Sequence, residues 1–227
     1  TKVFSAELEL EENNEQYIER LTKTILWIMG GWKITIGGSK KIGDFIKKTY
    51  SAGGLRSFDA LFMSRVYEKD FEVCSVEIDK IPKEYENVPL LNRNLDGCRI
   101  GFDAGGSDRK VVALKNGEVV YSEEVEWNPK MQSDPDYHYR EISTAIKTAA
   151  EHLPRVDAIG VSSAGIYVNN RTMVASLFLK VPLDLFNQKV KDIYLNIQKE
   201  WGNVPLLVRN DGDVTALAGA MSLNDTK

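Results

Sequence analysis

Apolar residues near the start of the chain recur at helical spacing: Ile18, Leu21, Ile25, Ile28 and Met29 form one stripe, and Gly30-Gly31 stops it. This pattern predicts an amphipathic helix over 15–29. Trp32–Ile36 alternates like a strand, Gly37-Gly38 turns, and Ser39 is placed to cap a helix running to Tyr50 with Ile42, Phe45, Ile46 and Tyr50 on its apolar face. A further helix is predicted over 58–67 and a strand over 71–78. Pro82, Pro89 and the polar stretch 83–96 then read as a linker, which puts a domain boundary near residue 95 and divides the chain into 1–95 and 96–227.

The second part is more regular. Short apolar runs at 99–104, 109–115 and 118–127 predict three successive strands, and Asn116-Gly117 between the last two is a strong antiparallel hairpin signal. Gly105-Gly106 makes the first turn, where glycines are expected to supply positive φ and leave backbone N–H groups unobstructed. A loop at 128–136 leads to a helix over 139–153 striped by Ile142, Ile146, Ala149, Ala150 and Leu153, with Pro154 marking its end. There follow a strand at 158–162, a turn at Ala164-Gly165, a hairpin about Asn169-Asn170, a long helix over 184–201, a buried strand at 205–209 and a small-residue helix over 214–221. The order β-β-β-α-β-(hairpin)-α-β-α predicts an α/β domain built on a mixed sheet.

Composition narrows the classes. With 43% hydrophobic residues over 227 positions, the chain can bury a real core. A formal net charge of −4 argues against nucleic acid or an anionic membrane as the main partner, since either favours a clustered basic surface. No apolar run approaches the ~20 residues of a membrane span, and Thr1–Glu15 is acidic and polar rather than signal-like, so a cytoplasmic protein is expected. Cys74 and Cys98 show neither a CxxC spacing nor a nearby histidine cluster, so no zinc site or disulfide is expected. His138 and His152, in or near the helix before Pro154, are expected as partly exposed surface residues.

Candidate chemistry lies at three junctions after strands, where ligands of α/β sheets tend to bind: Asp103–Asp108, Ser162–Gly165 and Asn210–Asp213. Each also has a purely structural reading, as a hairpin turn, a close-packed turn and a helix cap respectively. A glycine turn can cradle an anion, but Asp103 beside it requires a cation such as Mg²⁺ in between, which points to a nucleotide phosphate with metal. Asp211, at the end of a buried strand, is rigidly placed to act as a base toward a hydroxyl, and Asn210 offers both donor and acceptor groups.

Taken together and in order, these segments resemble the first lobe of the sugar kinase, heat-shock and actin superfamily, especially the ROK-family sugar kinases. Asp103-Ala-Gly-Gly-Ser-Asp108 is similar to the family's phosphate motif Asp-x-Gly-Gly-Thr-Lys. Ile159-Gly-Val-Ser-Ser-Ala-Gly165 resembles its strand ending in Pro-Gly, and Val208-Arg-Asn-Asp-Gly-Asp-Val-Thr-Ala-Leu-Ala-Gly219 resembles the segment that carries its catalytic aspartate. The resemblance covers roughly residues 98–223. It implies a ribonuclease-H-like (actin-like ATPase) domain with a mixed sheet over 96–227, preceded by a smaller α/β N-terminal extension. It also implies ATP-dependent phosphorylation of a sugar hydroxyl: Asp211 as general base, Asn210 and Gly165 at the sugar, Gly105, Gly106 and Ser107 at the ATP phosphates, and Asp103 at Mg²⁺.

The chain departs from the family pattern at Asp108, which sets a negative charge where lysine is usual, with Arg109 and Lys110 as the cations placed to offset it. The family's later Glu-x-Gly-His and cysteine-rich zinc motifs do not occur in these residues. A second lobe is expected to come from a homo-oligomer or a partner chain, unless the sequence is incomplete as given. The alternative expectation is a non-catalytic sugar- or nucleotide-binding regulator of the same fold. Strand, double glycine and helix at 32–43 also resemble the superfamily's adenosine-side loop, against a plain accessory role for the first 95 residues.

Overall fold

The computed structural model describes residues 11–83 and 95–222, so the expected linker lies, but for its ends, outside the described residues. The chain forms two compact units, 1–89 and 90–227. In the first, α1 (Glu11–Met29), β1 (Lys33–Gly37), α2 (Lys40–Thr49), α3 (Ser57–Tyr67) and β2 (Glu72–Val76) surround a core of Leu26, Ile46, Tyr50, Ala60 and Met63. β1 and β2 pair in parallel, and the Ser39 hydroxyl accepts from the Ile42 N–H to cap α2. A Cβ on Gly43 would stand 2.4 Å from the Ser75 hydroxyl, so glycine there serves close packing of α2 on β2.

The predicted stripe of α1 is not the face it buries. Glu19, Thr22 and Leu26 face inward, while Ile25 and Ile28 are 50% and 73% exposed. Polar contacts set the helix rotation: Glu19 accepts from Arg56, and the Trp27 indole N–H donates to Asp59 at 2.5 Å.

The second unit is built on β3 (Cys98–Ala104), β4 (Asp108–Lys115), β5 (Glu118–Glu126), β6 (Ala158–Ser163) and β9 (Leu206–Asn210), in the sheet order β5-β4-β3-β6-β9. β4 pairs antiparallel with both β3 and β5, whereas β6 and β9 run parallel to β3. Asn116 and Gly117 both have positive φ, the requirement of a two-residue hairpin turn. This arrangement is the mixed sheet expected from the order of strands and helices along the chain. α4 (Pro135–Ala150) packs Ile142, Ala145, Ile146 and Ala149 against the sheet residues Ile100, Phe102, Val111, Ala113, Ile159 and Val161.

A separate hairpin, β7 (Gly165–Val168) and β8 (Arg171–Ala175), turns at Asn169-Asn170, both with positive φ. The Asn170 amide then acts as a substitute strand for the free edge of β9, donating to the Leu206 carbonyl at 2.7 Å and accepting from the Val208 N–H at 3.0 Å. The edge is thereby satisfied and blunted.

The long helix predicted over 184–201 is broken. A turn at α5 (Leu183–Leu185) passes into a π-helical stretch, Phe186–Val190, and only then into α6 (Ile193–Glu200). The Lys191 N–H bonds to the Phe186 carbonyl at 3.0 Å, and the Lys191 carbonyl is drawn out of the helix to accept from the Thr172 N–H at 2.8 Å. Competition from β8 for that carbonyl interrupts the α-helical ladder. The last element, α7 (Asp211–Ser222), starts directly at the end of β9.

Candidate active site

The three junctions singled out in the sequence follow adjacent parallel strands. Asp103 is level with Ser162 and Ala104 with Ser163, while Ser162 and Ser163 are level with Arg209 and Asn210. With strands about 4.8 Å apart, the three strand ends span roughly 10 Å of one sheet edge. Alternation sends Asp103, Ser162 and Arg209 to one face, and Ala104, Ser163 and Asn210 to the face covered by α4. A cavity of about 590 Å³ lies on the first face under Val214 and Leu217 of α7, floored by Gly101, Val112, Gly160 and Leu207. It reaches Asp103 and Ser162 but includes neither the glycine turn nor Asp211. Its floor is apolar, and the charged groups that line it are Asp103, Lys110, Glu123, Glu124 and Arg209.

The Gly105–Asp108 turn is held from one side by Trp127. The indole N–H donates to the Gly105 carbonyl at 2.9 Å, and the backbone N–H of the same residue donates to the Ser107 carbonyl at 3.0 Å. None of the described hydrogen bonds uses the Gly106 or Ser107 N–H. A turn with its carbonyls tied down and its N–H groups uncommitted suits an anion.

The reason for glycine differs from the sequence-based expectation: neither Gly105 nor Gly106 has positive φ. What they provide is room. A Cβ on Gly105 would lie 2.5 Å from the Asp108 carbonyl oxygen, and one on Gly106 would lie 2.8 Å from Lys130 Nζ.

Asp108 is contained within the turn's own charge balance. Its carboxylate accepts from the Ser107 hydroxyl at 3.1 Å and pairs with Lys110 at 3.3 Å, and Lys110 also reaches Glu124 at 3.4 Å. Asp108, with Glu124, holds the Lys110 ammonium pKa above its ordinary value, through the hydrogen bond first and the charge second. Arg109 is committed elsewhere, buried between Glu141 at 3.0 Å and Glu123 at 3.5 Å. Thus Lys110 offsets Asp108, and Arg109 does not. The Asp103 carboxylate takes part in none of the described hydrogen bonds or ion pairs and is half-buried.

Asn210 and Asp211 lie where strand passes into helix. The Asn210 amide donates to the Gly165 carbonyl at 2.9 Å and accepts from the Gly212 N–H at 2.9 Å, so it ties two of the three junctions together and caps α7. Gly165 requires glycine twice over, with φ of +157° and a Cβ position only 2.5 Å from the Val174 carbonyl oxygen. Asp211 is exposed, and its carboxylate accepts from the Gly212 N–H at 3.0 Å.

Close by, the Tyr167 hydroxyl donates to the buried Ser163 hydroxyl at 2.8 Å. Burial, with the Asp211 charge adding to it, pushes the Tyr167 pKa up to about 12. The Tyr194 hydroxyl is wholly buried beside this pair, and burial raises its pKa well above the ordinary value.

His138 reverses the expectation of a surface residue. It is fully buried, with Nε2 at 2.9 Å from the Pro129 carbonyl and 3.1 Å from the Leu177 carbonyl. Two acceptors at one nitrogen require the Nε2–H tautomer. His152 is exposed as expected, its ring stacked on Tyr121.

Among the described residues no group of three or more histidine, cysteine or acidic side chains is arranged to hold a metal ion. Mg²⁺ that travels with a nucleotide needs only one or two protein carboxylates, the rest of its shell being phosphate and water, so Asp103 fits that demand. No described helix is long and apolar enough to cross a membrane.

No protein-family model matches the chain, and no curated protein matches it. Similar solved structures include a ROK hexokinase from Thermus thermophilus, at 17% identity and a TM-score of 0.40 over 54% of this chain and 37% of that one. An inorganic polyphosphate/ATP-glucomannokinase from Arthrobacter sp. strain KM is similar at 21% identity and a TM-score of 0.43, over 55% of this chain and 48% of that one. A ROK-family transcriptional regulator, a homologue of the E. coli MLC protein, is similar at 20% identity and a TM-score of 0.44, over 56% of this chain and 31% of that one. This chain therefore spans less than half the length of each. The second unit is a mixed α/β domain on a five-stranded sheet, and the solved structures similar to the chain include sugar kinases, a ROK-family regulator and Thermus thermophilus RuvC.

Proposed function

We propose that the chain contributes the sugar- and nucleotide-binding half of an ATP-dependent sugar kinase. The observation that carries this reading is the convergence of a glycine turn with uncommitted N–H groups, an unpaired carboxylate and a strand-end Asn-Asp pair at adjoining ends of β3, β6 and β9. Phosphoryl transfer needs positioning and charge neutralisation more than covalent chemistry, and these groups divide that work. The Gly106 and Ser107 N–H groups would receive phosphate oxygens. Asp103 would hold Mg²⁺, which supplies charge neutralisation on the phosphates when bound. Asp211 would accept the proton of the attacking sugar hydroxyl, while Asn210, fixed to Gly165, holds the base and the sugar subsite in register.

Calorimetric titration of the chain with Mg-ATP, and with a panel of hexoses and amino sugars, tests the reading. Binding of both ligand classes is expected, with Asp103→Asn weakening Mg-ATP more than metal-free ATP. Binding of neither class would overturn it.

A second reading, a regulator that binds the same ligands without turnover, is favoured by Asp108 at the phosphate turn. Its signature is ligand binding with no ADP formed.

A further inference from the structure

Resting on the kinase reading, we infer that Lys130 is the cation that holds the phosphates at the glycine turn. A methyl group built on Gly106 would stand 2.8 Å from the Lys130 Nζ and 3.0 Å from its Cε, so the ammonium lies directly over the turn. The other nearby cations are already engaged: Arg109 by Glu141 and Glu123, Lys110 by Asp108 and Glu124. Lys130 has no ion pair among the described residues, and its side chain is exposed.

Its backbone is firmly placed. Lys130 sits in a 3₁₀ turn, Pro129–Met131, that follows β5. Trp127 bonds this segment to the turn through both of its N–H groups, and the buried His138 bonds the Pro129 carbonyl. Two short bonds, Met131 N–H to Asn128 at 3.1 Å and Gln132 N–H to Pro129 at 3.2 Å, close the 3₁₀ turn around it. His138 and Trp127 are thus positioning residues for Lys130, and the glycine at 106 is what admits the ammonium.

A polyphosphate on the Gly106 and Ser107 N–H groups would meet Asp103 and Asp108. Lys110 neutralises Asp108, Asp103 would hold a metal ion travelling with the nucleotide, and Lys130 is left to supply the net positive charge. Where the resembling motif has lysine at 108, this turn receives a lysine from the 3₁₀ turn after β5.

The test is titration of the full chain with ATP, inorganic tripolyphosphate and adenosine, in the wild type and in the variants Lys130→Ala, Lys130→Arg and Lys115→Ala. Lys115 lies at the opposite end of β4 and serves as the control. A charge-assisted hydrogen bond on a partly exposed site is worth roughly tenfold in affinity. Lys130→Ala should therefore weaken ATP and tripolyphosphate about tenfold or more and flatten the salt dependence, leaving adenosine unchanged. Lys130→Arg should recover much of the loss, and Lys115→Ala should behave as wild type. If the wild type binds ATP and Lys130→Ala binds it equally well, this assignment is wrong while the kinase reading stands. If the wild type binds neither ATP nor tripolyphosphate, the kinase reading itself fails and the assignment goes with it.

Discussion

Asn170 fastens the strand that carries Asn210 and Asp211, and its replacement should be costly out of proportion to its size. Its amide makes two hydrogen bonds to the open edge of β9, to the Leu206 carbonyl and from the Val208 N–H, and Val208 is 0% exposed. Losing the bond to the Leu206 carbonyl costs about 1 kcal/mol net, and leaving the Val208 N–H buried without an acceptor costs about 1–3 kcal/mol. Asn170→Gly keeps the positive φ of 63° accessible and should lose about 2–4 kcal/mol. Asn170→Ala should lose about 1 kcal/mol more, because a Cβ is disfavoured in the left-handed region. Urea unfolding followed by tryptophan fluorescence gives the stability change, and native-state hydrogen exchange of the Val208 amide reads the contact itself. A stability change under about 0.5 kcal/mol for Asn170→Gly, with Val208 exchange unchanged, would refute the role assigned to the amide.

Two further outcomes follow from buried groups. His138→Ala removes a ring packed against Phe178 and Trp127 together with its bonds to two carbonyls, and should cost about 3–5 kcal/mol in denaturant unfolding; an unchanged midpoint would contradict its role as a pin. Tyr167, with its pKa raised from 10.0 to about 12, favours folding fully below pH 10, and that contribution is lost as pH rises from about 10 to 12. At about 1.4 kcal/mol per pH unit the loss approaches ~2–3 kcal/mol, so Tyr167→Phe should flatten the alkaline limb of stability against pH, and an unaltered limb would count against this placement.

Much of the architecture is legible in the sequence because strand and helix periods are local properties. The Asn-Gly and Asn-Asn hairpins, the Ser39 cap and the succession of strands and helices along the chain all follow from residues within a few positions of one another. Where the outcome depended on a distant partner, the pattern misled. Most of the apolar stripe of α1, from Leu21 to Met29, is turned outward while Ile18 packs on the core, with Glu19 and Trp27 bonded to Arg56 and Asp59. The 184–201 helix breaks because Thr172 takes the Lys191 carbonyl.

The candidate site divides in the same way. Asp103, Gly165, Asn210 and Asp211 stand at strand ends that local patterns locate. Lys130 escapes notice because its position depends on a β-bulge. Counting back from Asn116-Gly117 would place Ala113 opposite Val120, but the register shifts so that Ala113 faces Tyr121 and Asp108 faces Glu126. That one-residue shift brings Trp127 beside Ser107 and carries Lys130 to Gly106. Gly105 and Gly106 were recognisable as a turn, yet the need they meet is space for Asp108 and Lys130 rather than a left-handed backbone.

The role proposed for Asp211 is that of a base on a sugar hydroxyl beside a phosphate held at the Gly105–Ser107 turn. ADP formation from Mg-ATP, measured across hexoses and amino sugars with the wild type and Asp211→Asn, tests it most directly. The expected result is turnover with at least one sugar, reduced about 10²–10⁴-fold by Asp211→Asn while Mg-ATP affinity and unfolding are unchanged. Equal turnover by the two proteins would contradict it.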